Sequence, residues 1–171
     1  MVEKFKEFEI CSLTREIAAK YAEEILALIG KIPGSHYRLE DILAENKGDR
    51  VMYGKWEHSL IAFEKGRVVG VLIGYERKKE KEGIYSINSL YINEIAVSHH
   101  GAGLGEYMLR LFVQKAQYLH LDGDVVVRIQ TEKSEKNRKV IDLYKKVGFK
   151  EIGVKSYQTK DDLVMEIQTE K

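Results

Sequence analysis

The stretch 94-EIAVSHHGAGLGE-106 decides the fold, because in it an apolar run gives way to a turn that contains three glycines. The run that leads into it, from residue 84 to 97, is rich in Ile, Tyr and Val and predicts a central β-strand. After the glycines, apolar residues recur at helical spacing up to Ala116, which predicts a helix. Glycines let a ligand approach the backbone, and the free N–H groups of a first helical turn favour phosphate. The stretch is interpreted as an anion-binding turn; a turn that needs positive φ and binds nothing is the alternative.

Two other phosphate motifs fit the turn less well. A P-loop reads G-x-x-x-x-G-K and then Ser or Thr, and counting from Gly101 its last glycine would fall on Glu106, so a P-loop is excluded. A dinucleotide fingerprint reads G-x-G-x-x-G within a βαβ unit. This turn reads G-x-G-x-G and follows three strands with no helix between them. An enzyme that uses the turn for NAD or ATP therefore remains only as an alternative.

Hydrophobic patterning outside the turn predicts a single domain over residues 1–171, without linkers or repeats. A helix capped by Ser12 or Thr14 and stopped by Gly30 follows the first strand, and Gly66 is expected to turn a hairpin with positive φ. The predicted order is β-α-α-β-β-β-α-β-α-β-β, a mixed α/β (α+β) sandwich. The strands are predicted at residues 5–13, 58–64, 68–77, 84–97, 124–129, 149–158 and 163–167, and the later helices at 39–44, 104–116 and 137–147.

A second motif, 137-NRKVIDLYKKVGF-149, places Asn137 and Tyr144 on one face of a helix, because seven residues make about two turns. With both motifs on these elements, the sequence resembles the GCN5-related N-acetyltransferase (GNAT) superfamily. The acetyl-CoA signature of that family, Q/R-x-x-G-x-G/A, corresponds to residues 100–105, with His100 in place of Arg or Gln. Its later signature, N-x-x-A-x-x-x-Y-x-x-x-G-F, corresponds to Asn137, Val140, Tyr144, Gly148 and Phe149.

The resemblance implies a fold and an activity. The fold would be a central twisted mixed sheet flanked by helices. The activity would be transfer of an acetyl group from acetyl-CoA to a primary amine, by direct attack in a ternary complex. A protein N-terminus, a lysine or a small amine would be the acceptor. A non-catalytic sensor or interaction module that binds acyl-CoA on the same fold is the alternative.

The resemblance also assigns residues to the cofactor. The pantetheine arm would pair with the strand backbone and contact Asn137, and the pyrophosphate would bind the N–H groups of the glycine turn. The Tyr144 hydroxyl would face the thioester sulfur, where a phenol can protonate the leaving thiolate. A core tyrosine without a chemical role is the alternative for Tyr144. The expected cofactor-binding residues are Ile95, Ala96, Val97, His100, Gly101, Ala102, Gly103, Leu104, Gly105, Glu106, Asn137 and Tyr144.

The acceptor amine needs a base, because an α-amino group titrates near pH 8 and a lysine at about 10.4. Glu94 is the carboxylate in the second half of the long strand, beside the expected thioester. Tyr91 is the other candidate, on the opposite face if strand side chains alternate regularly. The sequence favours Glu94, and an ion pair of Glu94 with a neighbouring Lys or Arg is the competing interpretation. The reaction requires no metal, and none is expected.

Composition limits the partners. The chain has 28 Lys and Arg against 27 Asp and Glu, a formal net charge of +1, so overall basicity does not argue for nucleic acid. The longest apolar stretch, residues 68–75, is far shorter than the roughly 20 residues of a transmembrane helix. The N-terminus lacks a signal-peptide pattern, and the single cysteine, Cys11, cannot form an internal disulfide. We therefore expect a cytoplasmic monomer or homodimer whose partners are acetyl-CoA and an amine acceptor, a small molecule or a peptide, with neither nucleic acid nor membrane.

Overall fold

A computed structural model describes residues 1–81, 87–118 and 125–169. The strands are β1 (Glu3–Phe5), β2 (Phe8–Ser12), β3 (Asn46–Lys47), β4 (Arg50–Val51), β5 (Leu60–Glu64), β6 (Arg67–Arg77), β7 (Asn88–Val97), β8 (Val125–Glu132), β9 (Lys150–Ser156) and β10 (Asp161–Gln168). The helices are α1 (Arg15–Ile29), α2 (Leu39–Leu43), α3 (Lys55–His58), α4 (Leu104–Ala116) and α5 (Arg138–Val147), with a 3₁₀ turn at Glu135–Asn137.

The sheet is mixed and lies between two layers of helices. Among the described residues, eight strands join in the order β1-β2-β5-β6-β7-β8-β10-β9, and β3 and β4 form a separate hairpin. Neighbouring strands of the large sheet run antiparallel, except that β7 and β8 are parallel. Helices α1 and α2 cover one face, and α4 and α5 cover the other. The predicted mixed sheet flanked by helices is confirmed.

Alternation along the strands builds a core on each face of the sheet. On β6, Val71 and Ile73 belong to the cluster under α1, whereas Leu72 between them belongs to the cluster under α4. All three side chains are fully buried. Burial of an aliphatic side chain of this size stabilises the fold by about 1.5–3 kcal/mol. The two cores together fix the sheet as a rigid layer between the helices.

Local signals at helix ends and in one hairpin are confirmed. The Thr14 side chain accepts a hydrogen bond of 3.2 Å from the N–H of Ile17 at the start of α1. Gly66 turns the β5–β6 hairpin at a φ of 77°, and Gly148 ends α5 at a φ of 118°. Gly30 ends α1 in a right-handed conformation, so its role there does not depend on positive φ.

Other predicted boundaries are wrong. The single strand expected over residues 5–13 is a hairpin of β1 and β2, in which Phe5 pairs with Phe8 across a two-residue turn. Lys6 takes a φ of 55° in that turn, where no Gly, Asn, Asp or Pro signals it. Residue 58, expected to begin a strand, ends α3 instead, and the β3–β4 hairpin was not predicted. The expected strand positions 84–86 and 124 lie outside the described residues.

Glycines on β6 allow α4 to approach the sheet closely. A Cβ at Gly74 would lie 2.3 Å from Cε2 of Phe112, and one at Gly70 would lie 2.9 Å from Sδ of Met108. Both Phe112 and Met108 are buried side chains of α4. Because Gly70 and Gly74 have no side chains, α4 and the turn before it can lie close to the sheet. Within the described parts of the chain, none of the helices is long and apolar enough to cross a bilayer.

We expect Gly74→Ala to lower the free energy of unfolding by about 1–3 kcal/mol, because the new methyl group overlaps the Phe112 ring in a filled core. Urea unfolding followed by circular dichroism measures this loss. Adding Phe112→Leu should recover part of it, since the smaller side chain leaves room for the methyl group. Strictly additive losses in the double variant would contradict the close approach.

Candidate active site

Strands β7 and β8 separate at the centre of the sheet. Their parallel pairing runs from Asn88 opposite Val125 to Ile92 opposite Ile129 and stops there. From residue 94 to 97, β7 is paired only with β6 among the described residues, and residues 130–132 of β8 are paired only with β10. Backbone N–H and C=O groups of β7 therefore face an opening on the β8 side, where an extended ligand can pair with them.

A β-bulge lies where the strands separate. Ile92 is opposite Gly74 and Glu94 is opposite Ile73, so Asn93 is an extra residue on β7. The extra residue reverses the alternation, and Glu94 projects on the α1 face, the face that also carries Tyr91. The expectation that Tyr91 and Glu94 lie on opposite faces is therefore wrong. Both candidate bases line the same side of the sheet.

The glycine turn after β7 leaves its backbone open. Gly101 and Gly103 have φ of 83° and 84°, and a Cβ at Gly101 would meet no atom within 4 Å. Gly103 caps α4, and the first intrahelical bond of the helix runs from the N–H of Tyr107 to its carbonyl, at 3.0 Å. The N–H groups of residues 104–106 precede that bond and have no helical acceptor. Together with the helix dipole they form a site for an anionic group.

The β1–β2 hairpin supports this turn, and the sequence prediction missed it. The Lys6 ammonium donates a hydrogen bond of 2.8 Å to the carbonyl of Ala102. The Phe5 ring stacks on Tyr107 at 4.3 Å between centroids, and its Cζ would lie 3.5 Å from a Cβ at Gly103. Lys6 therefore adds a positive charge beside the free N–H groups.

Two predicted cofactor residues have different surroundings. His100 is exposed on the turn. The carboxylate of Glu106 accepts hydrogen bonds from Lys146 at 2.8 Å and from Arg110 at 3.0 Å, and these bonds lower its pKa. Its charge thereby ties α4 to α5. Only the backbone N–H of Glu106 is then available to a phosphate.

Asn137 and Tyr144 approach the opening from the end of β8 and from α5. The Asn137 amide donates both of its hydrogens, to Thr131 Oγ1 and to the carbonyl of Glu132, each at 2.7 Å. It therefore presents its carbonyl oxygen to a ligand. Tyr144 is buried and packs against Phe149, with ring centroids 5.9 Å apart. Burial, and then the charge of Glu94, raise the pKa of the Tyr144 hydroxyl, which keeps it protonated.

Glu94 lies within electrostatic range of Tyr144, although Glu94 projects from the α1 face of the sheet and Tyr144 of α5 packs on the other face. The opening between β7 and β8 connects the two faces at this point. Burial raises the pKa of the Glu94 carboxyl, against the opposing effects of a 3.2 Å hydrogen bond from Ser35 and of the Lys47 charge. A carboxylate with a raised pKa is a suitable proton acceptor near neutral pH.

A pocket of about 430 Å³, within the described residues, reaches Asn93, the neighbour of Glu94 on β7. Tyr37 donates a hydrogen bond to the bulged Asn93, and the Lys47 ammonium lies 4.3 Å from the centre of the Tyr37 ring. Sequence analysis could not place Lys47 here, because its position depends on the β3–β4 hairpin. The pocket is lined by His36, Arg38, Asp41, Lys47, Gly48, Asp49, Arg50, Met52 and Asn93.

Two buried polar residues hold the pocket wall in place. Asp41 accepts hydrogen bonds from the N–H groups of Arg38, at 2.8 Å, and Gly48, at 3.0 Å. The Lys55 ammonium is fully buried and donates to the carbonyls of Asp41 and Ala44, each at 2.6 Å, which satisfies the C-terminal end of α2. Burial lowers the pKa of Lys55 to about 8. This wall therefore does not depend on apolar packing alone.

One group of possible metal ligands lies outside this site, within the described residues. The ligand atoms of Glu57, His58 and Glu76 are within 4.8 Å of one another. His58 is buried, and its Nε2 lies 2.9 Å from Glu76 Oε1. A direct hydrogen bond between these two side chains already accounts for their closeness.

Solved structures of acetyltransferases share this fold. The Escherichia coli ribosomal-protein-S18-alanine N-acetyltransferase matches with a TM-score of 0.66 and 16% identity over 95% of this chain and 94% of that chain. Arabidopsis thaliana Naa50, in complex with the bisubstrate analogue CoA-Ac-MVNAL, matches with a TM-score of 0.67 and 16% identity over 94% of this chain and 98% of that chain. The protein yncA from Salmonella typhimurium, with its cofactor acetyl-CoA, matches with a TM-score of 0.66 and 16% identity over 96% of this chain and 95% of that chain.

The family is shown by the sequence itself. No curated protein matches this chain significantly. The family model described as Acetyltransferase (GNAT) family matches residues 20–149, well over half of the chain, and this range includes β7, the glycine turn and α5. The match confirms the resemblance found in the two motifs. The chain belongs to the GNAT family of acetyltransferases.

Proposed function

We propose that this protein is an N-acetyltransferase that moves the acetyl group of acetyl-CoA to a primary amine by direct attack in a ternary complex. The observation that carries the proposal is the opening between β7 and β8, because it joins a cofactor side to an acceptor side. An anion-binding turn and Tyr144 lie on one side of it. A carboxylate, Glu94, and a polar pocket lie on the other.

The chain's own groups fit such a cofactor. The N–H groups of residues 101–106 and the Lys6 ammonium would bind its pyrophosphate. The free edge of β7 at Ile95, Ala96 and Val97 would hydrogen-bond its pantetheine amides, and the Asn137 carbonyl oxygen would accept one more N–H. When bound, acetyl-CoA supplies the acetyl group as a thioester.

Glu94 would remove the proton of the acceptor ammonium, directly or through water, and so free its lone pair for attack. Because burial raises its pKa, the Glu94 carboxylate is a stronger base toward the ammonium proton than an ordinary carboxylate. Tyr91 lies on the same face and remains the alternative base. Across the opening, Tyr144 stays protonated and would donate its hydroxyl proton to the departing sulfur. As the carbon–sulfur bond breaks, the amide nitrogen would lose a second proton, which would restore the Tyr144 hydroxyl through water, and the proton gained by Glu94 would leave to solvent.

A binding titration tests the cofactor class. We expect acetyl-CoA and CoA to raise the melting temperature of the purified protein and to give saturable heats in calorimetry, because a ligand of the folded state stabilises it by mass action. NAD and ATP serve as matched nucleotide controls. Stabilisation by NAD or ATP but not by CoA would contradict the proposal and favour a nucleotide enzyme.

We expect Glu94→Gln to abolish the acidic limb of the pH profile of kcat/KM. In the wild-type protein the rate should rise as the Glu94 carboxyl loses its proton, at a pH above the ordinary glutamate range, because burial raises its pKa. The variant should retain only the rise set by the acceptor amine. Steady-state assays from pH 5 to about 9 measure both limbs. The exposed Glu23→Gln is the control, and an unchanged profile in Glu94→Gln would move the base to Tyr91 or water.

We expect Tyr144→Phe to lower kcat by about 100-fold, the lower end of general acid catalysis, with acetyl-CoA affinity changed less than about twofold. The substitution removes the proton donor and keeps the packing against Phe149. A fall in kcat of this size with intact acetyl-CoA binding supports the acid role. Turnover equal to that of the exposed control Tyr118→Phe would remove this role. A wild-type protein that binds CoA but turns over no amine would instead be a non-catalytic acyl-CoA-binding module.

A further inference from the structure

Lys47 is a half-buried cation that forms no direct ion pair among the described residues, and its nearest opposite charges, Glu94 and Asp41, act on it only at longer range. Among the described residues its ammonium forms neither an ion pair nor a hydrogen bond, and its close neighbour is the face of the Tyr37 ring at 4.3 Å. A partly desolvated charge that has no counter-charge in direct contact is costly, and a protein recovers part of that cost when an anion binds it directly. The position of Lys47 in the acceptor pocket makes the substrate the natural source of that anion.

Arg50 is a second cation of the same pocket that is paired with no carboxylate in the described residues. Its Nη1 donates to the Tyr75 hydroxyl at 3.3 Å, and the rest of its guanidinium is exposed to the pocket. Lys47 and Arg50 belong to paired strands, β3 and β4, and are directly opposite each other in the register. Two cations held side by side in this way repel each other unless an anion lies between them.

Neither aspartate of the pocket forms a direct ion pair with Lys47 or Arg50 among the described residues. Asp41 is buried and already accepts two backbone N–H groups, and Arg38 is 3.7 Å from it. Asp49 is exposed at the tip of the β3–β4 turn and forms no ion pair within 4.0 Å among the described residues. Lys47 and Arg50 therefore remain available for direct contact with an anionic group of a ligand, while Asp41 and Glu94 attract Lys47 only at longer range.

We propose that the acceptor is an amine that carries a carboxylate close to its amino group, and that Lys47 and Arg50 bind this carboxylate. The proposal rests on the proposed acetyl transfer and names its substrate class. Lys47 is within electrostatic range of Glu94, so a carboxylate held by Lys47 leaves a neighbouring amino group beside the base. A polyamine is disfavoured, because its second ammonium would meet the two cations. The carboxylate can be an acidic side chain near a peptide N-terminus or the α-carboxylate of a short acceptor.

The test uses matched acceptors that differ in a single charge. Peptides with Glu, Gln or Lys at the second position are compared at saturating acetyl-CoA, and a dipeptide acid is compared with its amide. We expect kcat/KM of the wild-type protein to favour Glu over Gln by about tenfold or more, with Lys lowest, and the preference to fall as salt is added. The dipeptide arm separates an α-carboxylate from a side-chain carboxylate as the source. Calorimetric binding of the same peptides without acetyl-CoA gives a readout that is independent of turnover.

Variants connect the preference to the two cations. Lys47→Met and Arg50→Met should each bring the Glu-to-Gln ratio close to one, and Lys47→Glu should reverse the preference in favour of the Lys peptide. Arg67→Met is the control. It removes an exposed cation at the start of β6, whereas Arg50 contacts Tyr75 near the end of that strand, so the wild-type Glu-to-Gln ratio should be kept. Lys47→Arg should retain the preference, and thermal unfolding of each variant checks that it is folded.

The outcomes separate this inference from the proposed function. A wild-type protein that acetylates the Glu and Gln peptides equally keeps the proposed function and overturns the carboxylate specificity. A preference that persists in both Lys47→Met and Arg50→Met also overturns it. Failure to bind CoA and to acetylate any acceptor would overturn the proposed function and the inference with it.

Discussion

The separation of β7 from β8 is the constraint on which the rest of the site depends. A buried sheet normally pairs its backbone polar groups, and leaving a row of them without partners is costly. Here the pairing ends after Ile92, and the bulge at Asn93 re-aims the side chains that follow. The bulge also lies opposite Gly74, whose missing side chain leaves room for Phe112 of α4. The packing of the helix and the shape of the opening are therefore coupled.

The two sides of the opening are held by different kinds of interaction. On the side proposed for the cofactor, apolar packing under α4 and the Phe5 ring hold the glycine turn. On the side proposed for the acceptor, hydrogen bonds hold the pocket wall, through Asp41, Lys55 and the contact of Tyr37 with the bulge. A diphosphate requires a rigid row of donors, whereas recognition of an amine depends on charges placed at the right depth. This division agrees with the chemistry proposed for each side.

Sequence patterns predicted the elements that are specified locally. The course of β7, α4 and α5 follows from periodicity, and Thr14, Gly66 and Gly148 carry recognisable end signals. The bulge was out of reach, because a strand with one extra residue has the same composition as a regular one. This is why Tyr91 and Glu94 were expected on opposite faces. Lys6 was missed because the β1–β2 hairpin has no turn residue. Lys47 and Arg50 were missed because Gly48 and Asp49 join strands of only two residues, too short to show alternation, and because their place in the pocket depends on contacts distant in sequence.

The burial of Lys55 affects how readily this side chain could be acylated, which matters in a member of an acetyltransferase family. A lysine whose pKa falls to about 8 has a larger fraction of nucleophilic amine at neutral pH than an exposed one. Such an amine is a ready target for self-modification by a thioester. Lys55 is shielded because its nitrogen is enclosed by the carbonyls at the end of α2 and is out of contact with solvent. Acylation at Lys55 therefore requires this wall to open locally, and its extent would report how often the wall opens.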